Sequence, residues 1–336
     1  MAAWVLTGPR TGSVQQVPVP ETLPGQVVVA VARVGLCGTD AEFYSGAMPY
    51  LHDGQASYPL RLGHEWCGHV AELGGDVDPT WLGAFVTGDT MLGCGVCAVC
   101  LTGKHHVCAD RYEIGIRGGW PGALAELLVV PVNALRRLPT GLDPAAGALV
   151  EPCGSAVRAV RAGRVGPGDT VCVWGSGTIG LLAAQVALAR GARVEVVGVR
   201  AAQLELALRL GVHAVHSPAG APGGFSVVID AATSPLAAAR AVEQVEPSGT
   251  VVLVGLAETP SLVDTRRMVL RDVTVVGILA ASAGLDEAIR LFAGSKIAAE
   301  PLVAAVVGLD HVREVLSGKF PAPANGAPKV QIDPRI

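Results

Sequence analysis

Residues Gly175-Ser176-Gly177-Thr178-Ile179-Gly180 constrain this chain more than any other stretch. A mostly apolar run, Thr170-Val171-Cys172-Val173-Trp174, leads in, and residues 181–190 lead out with the composition of a helix. The order is strand, glycine turn, helix. In such a unit the first glycine permits the tight turn, the second lets backbone N–H groups approach a pyrophosphate, and the third lets the helix pack closely on the strand. The positive end of the helix then faces the anion. Gly175, Gly177, Thr178, Ile179 and Gly180 are therefore candidate dinucleotide contacts. With 43 glycines in 336 residues the pattern is weak alone, and its flanks give it weight.

The pattern after this turn repeats strand and helix. Strands are expected at 194–199, 212–216, 226–230, 250–254 and 273–278, with helices at 201–210 and 236–245. Six strands with crossover helices predict an α/β fold built on a doubly wound parallel sheet. A carboxylate ending the second strand would hold the ribose 2′-OH of NAD. That strand ends instead in Gly198, then Val199 and Arg200. Gly198 removes the charge that repels a 2′-phosphate, and Arg200 offers a guanidinium suited to one. The expected cofactor is NADP(H), with NAD(H) the alternative and a plain helix-start role the bland reading of Arg200.

The first half reads differently. Short β-like runs alternate with proline turns, and residues 26–34 form the clearest strand, rich in valine. They deliver Cys37-Gly38-Thr39-Asp40, and further on come Gly63-His64-Glu65. A lone histidine is more often a hydrogen-bonded core residue, but a Cys upstream and a carboxylate beside it suggest a zinc site with one open position. Cys94, Cys97, Cys100 and Cys108 follow C-x2-C-x2-C-x7-C. Four thiolates on a short lobe match a closed, structural zinc site. An iron–sulfur motif would place the fourth cysteine after three residues and before proline; here it comes after seven and precedes Ala109. Asp143-Pro144 is a helix start. Glu151, before Pro152, is a carboxylate in apolar surroundings, costly unless paired or bound to metal. A helix is expected at 156–162. Cys67, Cys153 and Cys172 read as packing thiols, and His105 and His106 as exposed.

Composition narrows the rest. The net charge is −4 and no basic cluster stands out, which argues against nucleic acid. Half the residues are hydrophobic, yet Gln185, Arg190 and Arg193 interrupt the longest apolar run, so no membrane span is expected. The first residues lack the form of a signal peptide, so a cytoplasmic location is expected, with the eight cysteines as thiols or metal ligands.

On GHE-x2-G-x5-G from Gly63 to Gly74, the four-cysteine lobe and GSGTIG, the chain resembles, end to end, the zinc-containing medium-chain dehydrogenase/reductases of the alcohol dehydrogenase superfamily. The resemblance implies a mainly β, GroES-like catalytic domain at 1–155 and 292–336, with its zinc lobe near 91–110, and a Rossmann domain at 156–291. It implies Cys37, His64 and Glu151 as catalytic zinc ligands, Glu65 as the carboxylate able to exchange with the zinc-bound water, Thr39 as proton relay and Asp40 as the group orienting His64. Two zinc ions per chain follow. So does hydride transfer between NADP(H) and a secondary alcohol or ketone, with a homodimer or homotetramer as the assembly. Three segments are similar to the glucose dehydrogenase branch: residues 37–42, 149–152 and 113–116. They imply that Glu113 binds a sugar hydroxyl and that the substrate is a sugar, polyol or cyclitol. Glu42 stands where many relatives carry a relay histidine, and Trp66-Cys67 is bulkier than usual, which leaves the pocket's specificity open. Rival readings are a ketone or enoyl reductase of the same superfamily and a non-catalytic nucleotide-binding protein.

Overall fold

The computed structural model describes residues 1–336. The valine-rich run forms a ten-residue strand, Gln26–Gly35, at the centre of a seven-stranded sheet. β-branched side chains suit a pleated, half-buried surface, and eight of its ten residues alternate in pairing with Glu65–Leu73 on one side. On its other side Leu127–Pro131 pairs with its first half and Lys329–Ile332 with its last residues, both antiparallel. Phe85–Gly88 and Leu135–Arg137 extend the sheet one way, and Val303–Val307 closes it the other way, parallel to Lys329–Ile332. Trp4, Trp66, Phe43, Leu62 and Leu124 fill the core beneath. The chain divides into two compact units. The first comprises Met1–Glu151, Val303–Ala322 and Lys329–Ile336; the second comprises Pro152–Leu302 and Pro323–Pro328.

The second unit carries the parallel sheet. Its strands are β1 (Thr170–Trp174), β2 (Arg193–Val197), β3 (Ala214–His216), β4 (Phe225–Asp230), β5 (Val245–Leu253) and β6 (Thr274–Gly277). They lie in the order 3-2-1-4-5-6, every pairing parallel. This is the Rossmann order, with its switch point at β1/β4. The helix Thr178–Ala189 is buried along most of its length. Gln185, within it, spends both ends of its amide on Ala298, donating to the carbonyl at 3.2 Å and accepting from the N–H at 2.7 Å. That is how a polar group is tolerated there. No helix is long and apolar enough to cross a membrane.

One helical expectation is corrected. Residues 145–150 and 156–162 belong to one helix, Pro144–Ala162, with Pro152 inside it. Proline removes one N–H and disfavours helix in the residue before it. Here Leu149, Val150, Cys153, Ala156 and Val157 are fully buried on both sides of it, and that packing carries the helix through. Asp143 caps the start, its carboxylate accepting from Ala145 N–H at 2.7 Å. A short helix at Thr265–Leu270, not expected from the sequence, is capped by Asp264.

Candidate active site and cofactor turn

Sheet register assembles the first site. Gly35 pairs with Glu65 and Val34 with Trp66. Two residues beyond Gly35 lies Cys37, and immediately before Glu65 lies His64, so antiparallel pairing brings two distant turns together. Asp40 ties them. Its carboxylate accepts from Cys37 N–H at 2.9 Å and from Gly63 N–H at 3.3 Å, and stands 3.7 Å from His64 Nδ1. His64 Nε2 lies 3.2 Å from Cys37 Sγ. The ligand atoms of Cys37, His64 and Glu65 all fall within 4.8 Å of one another. Tetrahedral zinc with one sulfur and one nitrogen ligand would separate those two atoms by about 3.5 Å, and His64 Nδ1 is buried without a hydrogen-bond partner. The donor set and its spacing fit a metal.

Charge is concentrated here. Glu65 is buried, and Lys329 Nζ donates to both its oxygens, at 2.6 and 2.9 Å, and to the Leu36 carbonyl at 2.8 Å. Burial disfavours the Lys329 cation, but Glu65 and Cys37 outweigh it and raise its pKa. Burial, with the charge of Asp40, raises the Cys37 thiol. For His64, burial opposes protonation, yet Cys37 and Asp40 hold the ring well above its ordinary pKa. Glu151 stands outside the 4.8 Å group. It is buried at the end of the first unit, and burial pushes its carboxyl up to about 7, with His64 pulling the other way. Thr39 is half-buried in the first turn of the helix Gly38–Ser45.

Glu113 is neither solvated nor open. It is buried and accepts from Arg111 Nε at 2.7 Å and from the Tyr50 hydroxyl at 3.4 Å. His105 and His106 are half-buried rather than exposed, and His105 Nε2 meets the buried Asp89 at 2.8 Å, tying the cysteine lobe to the strand Phe85–Gly88 region.

In that lobe the sulfurs of Cys94, Cys97, Cys100 and Cys108 lie within 4.8 Å of one another and could hold a metal ion. Cys94–Cys100 and Cys97–Cys108 are 3.9 and 3.8 Å apart. A tetrahedron with metal–sulfur bonds of about 2.3 Å has edges of about 3.8 Å. No cysteine in the chain is disulfide-bonded. Backbone N–H groups of Val96 and Cys97 aim at Cys94 and lower its thiol to about 6, favouring the thiolate a metal needs. Cys67, Cys153 and Cys172 are wholly buried, as packing thiols are.

In the second unit, Gly180 lies so close to the turn that an added Cβ would meet the Gly175 carbonyl oxygen at 1.8 Å. The helix Thr178–Ala189 therefore starts directly on the end of β1, its N-cap being Gly177. At Gly198 a Cβ would meet Ser176 Oγ at 2.4 Å and Leu204 Cδ2 at 2.9 Å. Ser176 in turn donates to Gln203 Oε1 at 3.0 Å. Arg200 is exposed at the start of the helix Ala201–Arg209.

Sequence reasoning assigned Lys329 no role. The signal was present: strand alternation puts Lys329 and Gln331 on one face, and both are buried. It also missed the Ser176–Gln203 contact behind Gly198.

Comparison with known proteins agrees with this architecture. Residues 23–140 match the alcohol dehydrogenase GroES-like domain, and residues 178–294 match the zinc-binding dehydrogenase domain. The chain is 33% identical over 298 residues to an L-threonine 3-dehydrogenase of Saccharopolyspora erythraea, covering 83% of each. Among solved structures it is similar to a Sinorhizobium meliloti 1021 protein assigned as a zinc-binding dehydrogenase and bound to NADP (TM-score 0.91, 30% identity, 99% of each chain). It is also similar to galactitol-1-phosphate dehydrogenase from Escherichia coli (TM-score 0.87, 26% identity, 99% of this chain and 100% of that one). The chain belongs to the zinc-containing medium-chain dehydrogenase/reductases. It is a zinc-binding dehydrogenase, an oxidoreductase of alcohols.

Proposed function

We propose that this chain uses NADP(H) to interconvert a secondary alcohol and its ketone on a substrate with further hydroxyl groups, a sugar, polyol or cyclitol. Cys37, His64 and Glu151 would hold the catalytic zinc, with Glu65 as an alternate ligand, and the four lobe cysteines would hold a second, structural zinc. The observation that carries this reading is the convergence of Cys37, His64 and Glu65 within 4.8 Å. When bound, zinc supplies a Lewis acid for the substrate oxygen and the nicotinamide supplies the hydride carrier.

The chain's own residues do the rest. Asp40 fixes the Cys37 and Gly63 turns against each other and faces the far nitrogen of His64. Lys329 neutralises Glu65, which limits the negative charge gathered where an alcohol proton must depart. Thr39, two residues past Cys37, passes that proton on from the substrate hydroxyl. Arg200 receives the 2′-phosphate of the cofactor. Gly198 leaves no room for the carboxylate that would favour NAD unless Ser176 shifts. Glu113 serves the substrate only through the Tyr50–Arg111 set that holds it. The open edge of β6, with Val275 and Leu279 exposed, supports association as a homodimer or homotetramer.

A second reading has its own support: relatives named L-threonine 3-dehydrogenase make an amino acid with a secondary alcohol a competing substrate. Measuring kcat/KM with NADP and NAD over polyols, cyclitols, sugars and L-threonine decides between them. Preference for L-threonine sinks the polyol reading. Two zinc ions per chain by elemental analysis, falling to one in His64→Ala, are expected; wild type with one zinc refutes the two-site assignment.

A further inference from the structure

Three residues before His64 the chain carries a half-buried arginine with no counter-ion in the protein. Arg61 forms no ion pair, and its Nε is sealed from solvent without a hydrogen-bond acceptor. Burial alone pulls its pKa down to about 10, with no neighbouring carboxylate to offset it. Leaving a buried donor unsatisfied is unfavourable. Arg33 meets Asp333 and Arg111 meets Glu113; Arg117 leaves its Nη1 unpartnered but donates Nη2 to the Ala109 carbonyl, whereas Arg61 has neither an ion pair nor a hydrogen bond.

Arg61 borders a cavity of about 240 Å³ in the first unit. Its walls include Val5, Val17, Leu60, Ile116 and Trp120, with the exposed Ser57 also lining it. That is room for roughly eight water-sized groups. Water needs two to four polar partners to be held, and such walls supply few. Trp120 is a fixed surface, because its indole N–H donates to the Val129 carbonyl at 3.1 Å. One guanidinium among apolar walls suits a single negative charge attached to an apolar body. A phosphate carries more charge and more acceptors than one guanidinium can answer.

We propose that this cavity is a binding site for a small monocarboxylate with an aromatic or branched aliphatic body, its carboxylate on Arg61 and its apolar part against Trp120. The site is separate from the Cys37–His64–Glu65 cluster, and the segment Arg61-Leu62-Gly63 links the two directly.

Isothermal titration of the full chain with phenylacetate, phenylacetamide and inorganic phosphate tests this. Phenylacetate is expected to bind saturably and the uncharged amide about tenfold or more weakly, the loss expected for a charged hydrogen bond. Arg61→Gln should weaken phenylacetate by a similar factor, and His64→Ala should leave it unchanged. Should Arg61→Gln not fold, Ser57→Trp at the exposed rim carries the same test by blocking entry. The proposal is overturned if wild type shows no saturable binding, if the amide matches the acid, or if phosphate binds in preference. It is equally overturned if binding disappears in His64→Ala, which would assign the carboxylate to the metal cluster, or persists undiminished in Arg61→Gln or, where that variant does not fold, in Ser57→Trp.

Discussion

Replacing Lys329 by methionine would keep the bulk of its side chain and remove its charge. Lys329 and Glu65 are 3% and 4% exposed, so the Glu65 carboxylate would be left in the interior without the cation it shares two contacts with. Removing one member of a buried pair costs about 3–5 kcal/mol, because the survivor remains desolvated. At about 2–4 °C per kcal/mol for a domain of 150–250 residues, the loss is roughly 6–20 °C in the melting transition of the first unit. Differential scanning calorimetry of Lys329→Met, Glu65→Gln and the double variant gives the coupling directly. The double variant should recover most of the stability that Lys329→Met loses, since no bare charge is left inside. Zinc content measured on the same samples separates a change in metal occupancy from the electrostatic effect. A loss below about 1 kcal/mol, the range of a solvent-screened pair, would refute the reasoning. So would a double variant less stable than Lys329→Met.

Other expectations follow from the same geometry. Cys97→Ser should release the lobe's metal, halving zinc content if each chain holds two ions, and open residues 94–108 to proteolysis; unchanged zinc counts against the lobe as a metal site. Arg200→Ala should raise KM for NADP by about tenfold or more, the worth of a charge-assisted hydrogen bond, with little effect on NAD; equal effects on both would remove Arg200 from cofactor choice. In protein stripped of metal, burial lifts the Glu151 carboxyl from 4.5 to about 7. The folded state then keeps a proton that the unfolded state releases, so stability is full below about 4.5 and declines as pH rises to about 7, by up to about 3 kcal/mol. Chemical denaturation across that range should show the decline in wild type and a flatter profile in Glu151→Gln; parallel profiles would contradict it.

Much of this was legible in the residues. The six-stranded parallel sheet follows from spacing and periodicity because each strand sits between recognisable turns, and the four cysteines give their cluster away by interval alone. What stayed hidden depends on partners remote in sequence. Lys329 meets Glu65 across 264 positions, and only sheet register decides that they face each other. Glu113, implied by resemblance to bind a sugar hydroxyl, is instead held by Arg111, a pairing that two neighbouring charges in a sequence do not by themselves announce. The continuity of the helix through Pro152 was hidden for the opposite reason. Local preference argues for a break there, and burial on both flanks overrules it. The standoff of Glu151 from the other ligand atoms is likewise a matter of distance, which no motif encodes.

The last strand has a bearing on how the molecule is made. Lys329–Ile332 is inserted between the strand at Val303–Val307 and the strand at Gln26–Gly35. A nascent chain therefore cannot finish the first unit until residues 329–332 have emerged from the ribosome. The second unit, drawn almost wholly from 152–302, has its sequence available earlier. Domains usually mature from the amino terminus onward; here the sequence of the second unit is complete before that of the first, and the carboxylate beside His64 waits for its counter-ion until Lys329 has been made.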